Sequence, residues 1–155
     1  MKARQRFFGG GPMGLALNIG LLWAAFRLQP LLGTPAIHGN REAGVLIFAI
    51  FSVLSGALLL WSLVSLPPWS RGTRVATGGV YKYLRHPLYS SFILLAFGLA
   101  VWLDNWIFVA WAAVQFPVWH LSARGEESLM SLDFPEYQQY CRHTPRFIPR
   151  LWSRS

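Results

Sequence analysis

The chain has 155 residues, of which 54% are apolar and 13% charged, against about 25% charged in typical soluble proteins. That composition excludes an ordinary water-soluble globule, and the length bounds the chain to a single domain. A net charge of +8 requires no nucleic acid, because basic residues beside membrane spans meet anionic lipid headgroups.

Four apolar windows predict an all-α integral membrane protein with about four transmembrane helices. In hydrocarbon the backbone must satisfy its hydrogen bonds internally, and no alternating strands are present to close a barrel. The first window runs from Phe7 to Phe26 and contains Asn18. Lys2, Arg4 and Arg6 before it resemble the charged start of a signal peptide. However, Arg27, Gln29 and Pro30 follow without a small-x-small cleavage pattern, so a retained helix is expected. The second window, Ala43 to Leu66, holds 24 residues without a charge, enough to cross a bilayer.

Pro67-Pro68 ends that helix and opens a polar loop over residues 67–87. Trp69 suits the headgroup level, and Gly72, Gly78 and Gly79 give a closely approachable backbone. Pro87 is well placed to start the third helix, Leu88 to Leu103. Asp104-Asn105 then turns the chain into the fourth, Trp106 to Leu121, where Pro117 is expected to introduce a kink.

The remaining segment, residues 122–155, differs in kind. Ser122 to Tyr140 reads as an amphipathic cytoplasmic stretch with Leu129, Met130, Leu132 and Phe134 on its apolar side. Glu126-Glu127 would occupy its first turn, where carboxylates favour the helix dipole, and Pro135 would break it. The ending from Thr144 to Trp152 alternates basic and apolar groups, as a strap along a membrane surface would.

Charge sets the expected orientation. Of the 14 basic residues, 12 lie before the first window, between the second and third, or after the fourth. Only Arg27 and Arg41 fall on the other side, so both termini and the middle loop are expected in the cytoplasm, and the membrane would be the inner or plasma membrane if the source is bacterial. The single cysteine, Cys141, excludes an intramolecular disulfide and a multi-cysteine metal site. His38, His86, His120 and His143 are scattered without ligand spacing, so no metal site is expected.

The densest chemistry lies between Thr77 and Tyr89. Arg85 can grip a carboxylate or phosphate bidentately, and His86 and Tyr89 add donors where the free N–H groups of the third helix begin. A cationic anchor with an interfacial tyrosine accounts for the same residues. Glu126-Glu127 is the second cluster, suited to something cationic or hydroxylated, or equally to pairing with Arg124. Trp119 and His120 form the third, lining a lipid-facing pocket beside Pro117 or simply ending a helix.

Taken in order, these pieces resemble a membrane methyltransferase family, that of the isoprenylcysteine carboxyl methyltransferases and phospholipid N-methyltransferases. The matching residues are Thr77-Gly78 with Tyr81, Arg85-His86-Pro87-x-Tyr89, Glu126-Glu127, Phe134, Tyr137, Tyr140 and Pro145-Arg146-Phe147-Ile148-Pro149. They span about Pro67 to Pro149; one departure is Ser91, where the family usually has glycine.

The resemblance implies S-adenosylmethionine as cofactor, held by Gly79, Tyr81, Arg85, His86, Pro87, Tyr89, Glu126 and Glu127, with the C-terminal segment completing the site. It implies a lipid or lipid-anchored acceptor met by Trp119, His120 and Arg146, while Glu127, His86 and Arg146 are the candidates for catalysis. An isoprenylcysteine carboxyl methyltransferase-like activity is the leading expectation. A phospholipid amine N-methyltransferase is the nearest alternative. A sterol-type reductase using NADPH and a non-catalytic scaffold that keeps the family's shape stand behind it.

Overall fold

The computed structural model describes residues 10–37, 39–70 and 74–149. Lys2, Arg4, Arg6, Phe7, His38, Arg71, Gly72, Arg150, Trp152 and Arg154, which enter the expectations above, lie outside the described residues.

All regular structure among the described residues is helical. Helix α1 spans Gly10–Leu32, six residues past Phe26, and stops where Gly33 takes a positive φ of 57° that its missing Cβ permits. Helix α2, Arg41–Ser65, starts on an Asn40 cap whose side chain accepts from the Ala43 N–H, and ends just before Pro67-Pro68. Helix α3, Pro87–Trp102, opens on the expected proline. Helix α4, Trp106–Asp133, is capped by Asn105, whose side chain accepts from the Ile107 N–H. Two 3-10 turns, Pro68–Ser70 and Gly79–Lys82, shape the loop between α2 and α3, and a short helix α5 covers Tyr137–His143.

Three helices (α1, α2 and α4) have the length and apolar composition to cross a membrane; α3, at 16 residues, is shorter. The expected break at Leu121 is absent. Helix α4 continues as one element through Pro117 and Ser122 to Asp133, so Glu126 and Glu127 sit deep inside it and not in the first turn of a new helix. Their placement therefore owes nothing to a helix N-terminus. Pro117 is accommodated within the uninterrupted helix.

The helices do not pack in chain order. Helix α1 lies on α4, α4 on α3 and α3 on α2, while α1 and α2, consecutive in the chain, make little or no contact. Small residues permit these approaches. A Cβ on Gly98 of α3 would stand 2.6 Å from the Phe51 Cβ of α2, and one on Gly14 of α1 would stand 3.0 Å from the Trp119 ring of α4. Ser91 belongs to the same α2–α3 seam: it is fully buried, and its carbonyl accepts from Ser55 Oγ at 2.8 Å. The bond to α2 uses the backbone carbonyl, which glycine would also supply, while the serine hydroxyl turns back to the Leu88 carbonyl of its own helix at 2.7 Å.

Two buried clusters mark the ends of the bundle. At one end Ala25, Ala96, Ala100, Phe108 and Ala112 pack together beneath a polar clamp. There the Asp104 carboxylate accepts from the Ile37 and Gly39 N–H groups at 3.0 and 2.9 Å. Asn105 exchanges hydrogen bonds with Thr34 in the same clamp. At the other end Tyr89, Trp119, Ala123 and Phe147 are buried together, and there the chemically interesting residues gather.

Candidate functional site

Glu127 is the hub. It is 9% exposed on α4 and receives three basic side chains from two separate segments. His86 Nε2 lies 3.0 Å from Oε1, so the ring carries its proton on that nitrogen to donate to the carboxylate. Arg85 Nη2 approaches the same oxygen at 3.4 Å. From the tail, Arg146 donates Nε to Oε1 at 3.0 Å and Nη2 to Oε2, a two-point fork. That contact holds the Arg146 guanidinium above its ordinary pKa, because the charged form is the one Glu127 binds.

Glu126, its neighbour, points elsewhere, as adjacent helical residues must. Its carboxylate accepts the Tyr89 hydroxyl and stands 3.7 Å from His86 Nδ1. His86 therefore lies between the two carboxylates, with Nε2 on Glu127 and Nδ1 facing Glu126. Its ring stacks on Tyr89 at 5.3 Å between centroids with only 4° between planes, and Tyr89 stacks in turn on Trp119 at 4.6 Å.

The tail reaches this place by backbone pairing. The N–H of Arg85 donates to the Pro145 carbonyl at 2.9 Å, that of His86 to the Arg146 carbonyl at 3.1 Å, and Ser90 Oγ to the Phe147 carbonyl at 2.9 Å. Thr144 and Phe147 are buried. The expected strap along a membrane surface is, over residues 144–147, a bent segment hydrogen-bonded to the loop and to the first turn of α3.

Beside Glu127 lies a cavity of about 330 Å³, at the lower end of the range for small-ligand sites. Arg85, Glu127 and Arg146 form one part of its wall; Arg124, Ser128 and Ser131 of α4 with Gln138 and Cys141 of α5 form the rest. Buried Arg85 Nε has no hydrogen-bond partner. This donor set fits S-adenosylmethionine: three guanidinium groups for a carboxylate, and a carboxylate, an amide and two hydroxyls for ammonium and ribose groups.

The remaining expected residues are placed differently. Gly79 has a φ of 59°, and a Cβ there would fall 2.3 Å from Ser65 Oγ, so it lets the loop lie against α2. Tyr81 is buried, with its hydroxyl 3.1 Å from Ser62 Oγ and its carbonyl accepting from the Tyr140 hydroxyl at 2.6 Å. Pro87 is fully buried at the start of α3. Trp119 is 1% exposed, with its indole N–H on Gln115 Oε1, and faces the core instead of a lipid-facing pocket. His120 is beside the hub: Arg146 Nη1 reaches its ring at 3.0 Å, and Phe116 and Phe147 flank it.

Several wall residues escaped the motif reading. Arg124, Ser128 and Ser131 share helical spacing with the expected Glu127, a polar stripe that periodicity alone identifies once α4 is known to continue. Gly11 escaped too; a Cβ there would stand 3.2 Å from the Tyr89 hydroxyl, so the start of α1 closes over the Tyr89–Glu126 pair.

The family model for isoprenylcysteine carboxyl methyltransferases matches residues 45–131, more than half of the chain. The chain belongs to that family. Its members are membrane methyltransferases that generally use S-adenosylmethionine. Two curated relatives of this family member are nickel-cobalt-cadmium resistance protein NccN of Alcaligenes xylosoxydans xylosoxydans and cobalt-zinc-cadmium resistance protein CzcN of Cupriavidus metallidurans. NccN is 35% identical over 82 residues, which covers 52% of this chain and 38% of the relative. CzcN is 33% identical over 93 residues, covering 59% and 43% respectively. This isoprenylcysteine carboxyl methyltransferase family member therefore spans about two fifths of the length of the curated relatives it matches.

Proposed function

We propose that the protein transfers a methyl group from S-adenosylmethionine to a lipid or lipidated acceptor at the cytoplasmic membrane face. The observation that carries this reading is Glu127, held by Arg85, His86 and Arg146 at the wall of a cavity with a donor set of the right chemistry. In the same reading α3 serves as a fourth, short span, and both termini face the cytoplasm with the loop at residues 67–87.

Arg85 and Arg124 would take the cofactor's carboxylate, and Glu127, Gln138 and the two serines its ammonium and ribose groups. Gly79, Tyr81 and Pro87 contribute by shaping the loop that carries Arg85 and His86. When bound, the cofactor supplies an electrophilic methyl group. The protein's own part is alignment and exclusion of water, with Phe147 and the paired tail covering the hub. A carboxylate acceptor needs no base, and Arg146, with one face toward His120, would orient it. An amine acceptor must lose a proton first; His86, between Glu126 and Glu127, is the group placed to take it.

The relatives' names motivate a second element of the reading. Among the described residues no group of three or more His, Cys, Asp or Glu side chains is placed to hold a metal ion. In this reading a contribution to metal resistance would run through modification of a membrane component.

The test is methyl transfer from labelled S-adenosylmethionine to membrane lipid extracts, with wild type and Arg85→Ala compared. Incorporation by wild type and its loss in the variant is expected; equal incorporation removes Arg85 from the cofactor role. Thermal stabilisation by S-adenosylhomocysteine and not by NADPH is the accompanying result, and the reverse would favour the reductase.

A further inference from the structure

The seam between α1 and α4 holds hydrogen-bonding capacity that the fold leaves unused. Asn18 is 5% exposed, and neither its side-chain oxygen nor its nitrogen has a hydrogen-bond partner. Gln115 is 2% exposed; its Oε1 serves the Trp119 indole while Nε2 is unpartnered. Both amides belong to one seam. Gly14 packs on Trp119, and one turn along α1 the carbonyl of Asn18 accepts from the Trp111 indole at 3.2 Å. Gln115 lies midway between those two tryptophans on α4.

The depth makes this arrangement informative. Asn18 lies about 12 Å into α1 and Gln115 about 14 Å into α4 at 1.5 Å per residue, near the middle of the hydrocarbon layer. Unpaired amides are costly there, and polar side chains turned inward within a membrane mark ligand paths. No charged side chain occurs from Gly10 to Phe26 or from Trp106 to Trp119, so the matching group is neutral. It must accept from the Gln115 and Asn18 amide N–H groups and donate to Asn18 Oδ1. A hydroxyl does both; a carbonyl only accepts.

We propose that Asn18 and Gln115 form an intramembrane subsite for the hydroxyl group of a neutral amphiphile, about 16 Å along α4 from Glu126. The subsite stands independently of the methyl-transfer reading, because it involves none of the groups around Glu127.

The test is photolabelling of the full chain in detergent with a diazirine-bearing octanol, mapped by mass spectrometry. Labelling of residues 14–22 or 108–119, competed by 1-octanol but not by octane, is expected. Asn18→Leu and Gln115→Met, each close in shape to the residue replaced, should lower that labelling about tenfold while the protein stays folded. Labelling elsewhere, equal competition by octane, or labelling unchanged in both variants would overturn the subsite. Competition by methyl octanoate equal to that by 1-octanol would overturn the assignment to a hydroxyl. Collapse of the thermal midpoint in both variants would show that the amides are paired within the fold and would overturn it as well.

Discussion

Arg146 meets Glu127 edge-on, with Nε and Nη2 each donating to a different carboxylate oxygen. That fork ties the tail to α4 at the point where Arg85 and His86 arrive from the loop. Lysine would keep the charge and lose the fork. Arg146→Lys is expected to cost about 1 kcal/mol of stability, because the fork is lost, and Arg146→Ala about 2–3 kcal/mol, because Glu127 also loses a charged partner. A double-mutant cycle with Glu127→Gln, read by unfolding in detergent, should return a coupling of about 1–3 kcal/mol. Additive losses would mean that the fork contributes nothing.

Gly79 combines a φ of 59° with a Cβ position only 2.3 Å from Ser65 Oγ. Gly79→Ala should therefore destabilise by about 1–3 kcal/mol, through backbone strain and displacement of α2. Ser65→Gly in the same chain removes the clash and leaves the strain, so partial recovery of the melting temperature is the expected reading. Full recovery would assign the whole effect to the side chain.

At the opposite end of the bundle, Asp104 holds two backbone N–H groups of the α1–α2 connection. Asp104→Ala should lower stability by about 1–3 kcal/mol. The affinity for S-adenosylhomocysteine should stay at the wild-type value, because the clamp lies beyond the cluster around Phe108 from the hub. Calorimetric binding by the variant checks both halves of the statement.

Burial pushes the hydroxyl pKa values of Tyr137 and Tyr140 up from their ordinary value near 10. A pKa raised on folding means that the native state binds the proton more tightly than the unfolded chain does. The stability this contributes is complete below about pH 10 and is lost as pH rises above that value. Alkaline unfolding should accordingly steepen from about pH 10, and replacing both residues with phenylalanine should flatten that limb. An unchanged pH profile in the double variant would count against it.

How much of this was legible beforehand depends on what kind of force places each residue. Arg85, His86, Glu127 and Arg146 stand out because charge in an apolar chain is conspicuous, and the structure brings all four together. The extension of α4 to Asp133 was hidden. A window of apolar residues reports the thickness of hydrocarbon, whereas Ala123, Arg124, Glu126, Glu127 and Met130 continue the helix on backbone preference after hydropathy falls. The pairing of Pro145 and Arg146 with Arg85 and His86 was hidden for another reason: it uses main-chain groups, which every residue carries. The approach of Gly14 to Trp119 is tertiary and leaves only a small residue in the chain as its sign.

The order α1–α4–α3–α2 separates the sequence of synthesis from the sequence of assembly. When α1 enters the membrane its partner has not been made, and Asn18 must wait in lipid or in the insertion machinery until α4 arrives. Gly11 and Gly14, made well before α4, are thus among the last to reach their places against Tyr89 and Trp119. A nascent chain halted before Trp106 holds its loop with Arg85 and His86 but has neither the hub nor a seat for its first helix.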